Sequence, residues 1–141
     1  MDPVVARVFQ GVDHIIHVGD VCRPPIIAEL EEIAPVTVAL GNNDSTPAWR
    51  ETELFERDGL RVLARHILTP ERPGESMLRR IESARPHAVV YGHTHQADAR
   101  VLSGILFLNP GFAGHPERGA SRGVALLEWE NGKLQWKLVP L

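Results

Sequence analysis

The stretch "HIIHVGDVCRPPIIAELEEIAPVTVALGNND", His14 to Asp44, decides the fold. His14 to Val18 is a short, nearly continuous apolar run, as expected of a strand buried on both faces. Ile26, Ile27, Leu30 and Ile33 then recur at helical spacing, and Val36 to Leu40 forms a second apolar run. The order predicts strand, helix, strand, joined by the short loops of a parallel crossover. Each run ends in a glycine followed by polar groups, Gly19-Asp20 in the first case and Gly41-Asn42-Asn43-Asp44 in the second. In sheets of this kind ligands sit beyond the carboxyl ends of the strands, so those two corners carry the first candidate chemistry.

Upstream, "DPVVARVFQG" offers Asp2 as a helix N-cap, Pro3 at the first helical position and Gly11 as a stop, with Val4, Val5, Val8 and Phe9 on one face. Downstream, "TELFERDGLRVLARH" alternates around Asp58-Gly59, a favoured two-residue hairpin turn. A helix is expected from about Glu75 to Ala84 with Met77, Leu78 and Ile81 inward, followed by the strand "AVVY". Two further hairpins are predicted, about Ser103-Gly104 and Asn131-Gly132. The class is therefore α/β, with two sheets packed face to face and helices outside, in a single domain over residues 1–141.

Composition agrees. A chain of 141 residues, 43% hydrophobic, suffices for one well-buried core. Its net charge of −3 and the lack of Lys/Arg clusters interleaved with aromatics argue against a specific nucleic-acid partner. No segment has the length of apolar sequence that crosses a bilayer, and no basic, apolar leader opens the chain, so no membrane partner and a cytoplasmic location are expected. Cys22 is the lone cysteine and is read as a small packed side chain.

Three later strand ends resemble the first two. "LRVLAR" delivers His66, "AVVY" delivers Gly92-His93-Thr94-His95, and "ILFL" delivers Asn109-Pro110-Gly111. Taken singly each has an ordinary explanation: Asp20 as a turn residue or cap, Asn42 to Asp44 as turn formers, His66 as a packed histidine. Arriving in order at successive strand ends, a carboxylate, a carboxamide and three imidazoles point to a divalent metal. Mixed nitrogen and oxygen donors suit Mn, Fe, Ni, Co or Zn better than Ca or Mg. The His93-any-His95 pair either aims both rings at one ion or sends them to two. His14, His17, His87 and His115 lack such company and are read as structural.

In order and spacing, "VGD", "GNND", the single His66, "GHTH" and "NPG" resemble the calcineurin-like metallophosphoesterases, in particular the small YfcE-like phosphodiesterase family that includes the small retromer subunit. The resemblance implies a two-sheet β-sandwich flanked by helices and two divalent ions, manganese being the favoured choice. It implies metal-activated water attacking a small phosphodiester. By position Asp20 would bridge the ions, Asn42, His66 and His93 would complete one site, and His95 would belong to the other. Asn43 would hydrogen-bond the phosphate where many relatives place a histidine.

One other feature sets expectations. Relatives begin with a strand ending in Asp-any-His, which "MDPVVARVFQ" does not contain, so the second metal site is expected to be incomplete here and the fold to lack its first strand. That gap suggests either homo-oligomerisation through an unpaired edge or a shortened form of a longer chain. The competing functional readings are a catalytically idle scaffold that binds protein through the same sandwich, and an inactive shortened enzyme. Histidine-triad and metallo-β-lactamase-like patterns do not fit, because Gln96-Ala97 and Asp98-Ala99 stand where further histidines would be needed.

Overall fold

A computed structural model describes residues 1–141. Strand β1 (Ile15–His17) leads through helix α2 (Pro25–Glu31) to β2 (Val36–Val38), and the two strands pair in parallel with Ile15 opposite Val36. The crossover read from His14–Asp44 is present. Helix α1 (Pro3–Val8) precedes it, its first turn closed by the Asp2 carboxylate, which accepts from the Val4 N–H at 2.8 Å.

A second sheet has the order β3-β4-β5-β7-β6. Strands β3 (Thr52–Arg57) and β4 (Leu60–Arg65) form the expected hairpin, with Asp58 and Gly59 at φ 50° and 88°. Helix α3 (Glu75–Ala84) carries the chain to β5 (Ala88–Val90), which runs parallel to both β4 and β7. β6 (Asp98–Leu102) and β7 (Ile105–Asn109) turn at Ser103-Gly104. β8 (Gly123–Glu130) and β9 (Lys133–Pro140) turn at Asn131-Gly132 and form a separate two-stranded ribbon. Each turn pair has positive φ at both positions, the backbone that matches the right-handed twist of the flanking strands.

Alternation along the strands sorts these elements into layers. Leu60, Val62, Ala64, Ala88, Val90, Leu106 and Leu108 face Ile16, Val18 and Ala39 from the β1–β2 side and Ala125, Leu127 and Leu138 from the ribbon. The opposite face of the five-stranded sheet, Leu63, Val89, Tyr91 and Phe107, packs against Met77 of α3. Neighbours one residue away along β1 and β8, Ile15 and Val124, turn outward to Val5 of α1 and Leu30 of α2. Two β layers are thus enclosed between helices. β1 bonds to β2 on one edge and to no strand on the other. No helix is long and apolar enough to cross a membrane.

Two expectations need correction. Leu78 is 46% exposed, because α3 touches the sheet along a narrow stripe centred on Met77 and the next residue turns away. Cys22 is exposed, since it sits on the loop beyond β1 with φ 56° and its side chain is outside the core.

The burial pattern sets a pair of stability expectations. Leu63→Ala, at a fully buried position, should lower unfolding free energy by about 2–5 kcal/mol. Leu78→Ala should change it by no more than about 0.5 kcal/mol. Urea titration of both variants checks this, and equal losses would contradict the layer assignment.

Candidate metal centre

All five chemically loaded corners lie at the carboxyl ends of β1, β2, β4, β5 and β7. Glycine permits the close approach of the first two. A Cβ on Gly19, at φ 97°, would fall 2.7 Å from Gly41 Cα. One on Gly41 would fall 2.1 Å from the Asp20 amide nitrogen and 2.3 Å from its carboxylate. The loops after β1 and β2 can therefore touch only through a pair of residues lacking side chains.

Asp20, His66 and His93 come together there, with one possible donor atom from each lying within 4.8 Å of the others. Asn42 joins them. Its Oδ1 is 2.9 Å from His66 Nε2 and 3.1 Å from His93 Nδ1, and Asp20 Oδ2 is 3.2 Å from the same His66 Nε2. The tautomer of His66 gives this cluster its meaning. Its Nδ1 lies 2.7 Å from the Val18 carbonyl, and because a carbonyl can only accept, Nδ1 carries the hydrogen. Its Nε2 therefore faces two oxygens, of Asp20 and Asn42, that can only accept. Such a set needs positive charge among its atoms, which either a proton on Nε2 or a cation held between the side chains supplies.

The spacing also fits. Bonds of about 2.0–2.2 Å to a single ion place neighbouring donors roughly 3.0 Å apart in an octahedron and roughly 3.4 Å apart in a tetrahedron. Separations of 2.9, 3.1 and 3.2 Å are of the size that neighbouring donors to one ion show.

Asp20 stays ionised. Burial pushes its carboxyl up, but the Asn43 hydrogen bonds, together with His66 and His93, outweigh this and hold it below the ordinary carboxylate range. Asn43 donates its backbone N–H to Asp20 Oδ1 at 2.8 Å and its side-chain N–H to Oδ2 at 2.9 Å. On the other side Asn109, buried at the end of β7, donates to the Gly92 carbonyl and to Thr94 Oγ1, bracing the turn that carries His93 at φ 70°.

His95 stands outside the converging group. Its Nδ1 is 2.5 Å from a Glu117 carboxylate oxygen and its ring stacks on Phe112 at 4.2 Å. Glu117 has no counterpart in the sequence reading, since it lies in a loop without periodicity 22 residues away. Asp44, read there as a turn former, accepts backbone N–H groups from both metal-side loops. The remaining histidines with resolved contacts are structural: His14 meets Thr37 and stacks on Phe55, His17 accepts from the Gly19 N–H, and His87 accepts from the Arg61 N–H and lies against Trp129. Beside Asn42 and His66 opens a shallow cleft of about 120 Å³, also lined by Leu40, Glu51, Arg65 and Ile67.

Comparison with known proteins places this geometry. The chain is 34% identical over 137 residues to a Methanothermobacter thermautotrophicus protein named "Probable metallophosphoesterase", covering 93% of this chain and 77% of the relative. It is 28% identical over 137 residues to Bacillus subtilis YsnB, which carries the same description, again covering 93% and 77%. Among solved structures, zinc-complexed Vps29 from Entamoeba histolytica superposes with a TM-score of 0.75 at 20% identity, over 99% of this chain and 89% of the other. An archaeal phosphodiesterase gives a TM-score of 0.75 at 21% identity, over 97% and 90%. These two likenesses establish the fold. The profile described as "Calcineurin-like phosphoesterase superfamily domain" matches residues 1–132, and with the 34%-identical relative it shows that the chain belongs to the calcineurin-like phosphoesterase superfamily.

Proposed function

We propose that this chain is a divalent-metal-dependent phosphoesterase acting on phosphodiesters. The observation that carries the reading is the convergence of Asp20 Oδ2, Asn42 Oδ1 and His66 Nε2, joined by His93, at the strand-end rim. Those four side chains would hold one divalent ion, and their mixed nitrogen and oxygen donors suit manganese, our preferred choice, among the transition metals. Asp20 and His95 would face a second position, for which this chain offers fewer ligands. When bound, such ions supply Lewis acidity at phosphorus and acidify water to a pKa near about 7.

The protein's own groups do the remaining work. The Val18 carbonyl fixes the His66 ring and its tautomer. Asn43 fixes the rotation of the Asp20 carboxylate through two hydrogen bonds, and in this role it orients a ligand rather than protonating a leaving group. The cleft beside Asn42 and His66 gives one substituent of the diester a place to lie, with Arg65 and Glu51 at its side and Ile67 at its edge.

Metal binding comes first among the tests. Calorimetric titration of Mn²⁺ should show one tight ion per chain, and Asp20→Asn or His66→Ala should weaken it by more than about 100-fold. Glu117→Ala should leave that affinity unchanged, because Glu117 holds only His95. Equal weakening by all three substitutions would move the ion away from the assigned residues. With excess Mn²⁺, bis(p-nitrophenyl) phosphate should be hydrolysed faster than p-nitrophenyl phosphate, and Asp20→Asn should abolish both reactions. A tightly bound ion with no turnover of either compound would favour the idle-scaffold reading over catalysis.

A further inference from the structure

The loop that presents Asp20 is held in an unfavourable shape. Asp20 and Cys22 have φ of 53° and 56°, in the left-handed region that residues with a Cβ rarely occupy unless their surroundings impose it. The imposing group is one carboxylate. Asp44 Oδ2 accepts the N–H of Asp20 at 2.8 Å and of Gly41 at 2.9 Å, while Oδ1 accepts the N–H of Val21 at 2.9 Å and of Cys22 at 3.4 Å. Three of those donors lie on the loop after β1 and the fourth on the loop after β2, which also carries Asn42 and Asn43. A single anion thus fills a concavity of backbone N–H groups built from both loops, the kind of nest that binds negative charge.

We propose that Asp44 is the positioning residue of the metal group: it contributes no donor atom, and it sets where Asp20 and Asn42 stand relative to His66. Both of its oxygens are engaged by backbone hydrogens, so it has no role as a ligand. Without that charge, Asp20 and Cys22 lose the partners that hold their left-handed backbone, and the Asp20 carboxylate swings off the His66 Nε2 axis. Asn43 follows, because both of its bonds end on Asp20. The proposal rests on the metal reading above for its consequence and on the metal-free geometry for its cause, and the two can be separated.

Asp44→Asn keeps the shape and leaves one acceptor oxygen, turning an N–H donor towards the nest. Amide hydrogen exchange of metal-free protein, followed by NMR, should show faster exchange at Asp20, Val21 and Gly41, with the core amides of Leu63 and Val89 keeping wild-type protection. Mn²⁺ titration of the same variant should show affinity reduced at least tenfold, with Asp44→Glu recovering part of it. Loop amides that exchange faster while Mn²⁺ affinity stays within twofold would overturn the positioning role and leave Asp44 a merely structural brace. Unchanged loop exchange would overturn the cause itself. Wild-type protein that binds no Mn²⁺ would instead contradict the metal reading, and the exchange data would still decide whether Asp44 holds the loops. If Asp44→Asn fails to fold, Asp44→Ser carries the same two measurements, and wild-type exchange and affinity in it would overturn the proposal.

Discussion

The hydrogen bond from His66 to the Val18 carbonyl, 2.7 Å long, links the end of β4 to the end of β1. It joins the two β layers at the rim where they must face each other for any site to exist between them. It also places a hydrogen on Nδ1 of a histidine buried to 4% exposure, so that Nε2 is the atom turned towards the Asp20 and Asn42 oxygens. A buried imidazole facing a carboxylate and a carboxamide oxygen is costly unless positive charge lies among them, and a cation bound there would supply it. Packing and chemistry are coupled through that one contact.

The strain needed to build the rim is concentrated in a few residues. Asp20, Cys22, His93 and His95 all have left-handed backbone, whereas the other non-glycine positions of that kind are the three hairpin turns and the αL cap of α3 at Arg85. The turns adopt it because hairpin geometry demands it. The four rim residues adopt it because side chains elsewhere, Asp44 for the β1 loop and Asn109 for the β5 loop, accept or donate the bonds that fix them. The rigid five-stranded sheet below, with Leu63, Val62 and Val89 fully enclosed, provides the support against which such loops are held.

Much of this was legible in the sequence, and the parts that were not have physical reasons. Asp58-Gly59, Ser103-Gly104 and Asn131-Gly132 announce themselves because few residue pairs tolerate two consecutive positive φ angles. The parallel crossover was readable because the apolar period changes between Val18 and Ile26. Leu78 was misplaced because helical spacing marks a face without giving the width of the contact. Asp20, Asn42, His66 and His93 were visible as strand-end polar groups, but their mutual distances depend on how the two sheets pack. Asp44 and Glu117 were hidden for another reason: a carboxylate in a turn looks the same whether it faces water or a ring of backbone N–H groups, and only tertiary contact distinguishes them. His95, which the resemblance assigns to a different ion position from that of His93, lies against Glu117 and Phe112 on a loop whose position no periodicity encodes.

The central claim is that Asp20, Asn42, His66 and His93 surround one cation. Diffraction from crystals soaked in Mn²⁺, with data collected on either side of the manganese absorption edge, tests it most directly. The account predicts an anomalous peak bonded to Asp20 Oδ2, Asn42 Oδ1, His66 Nε2 and His93 Nδ1, at metal–ligand distances of about 2.0–2.3 Å. No peak at that point in fully soaked crystals, or a peak bound only elsewhere, would contradict it.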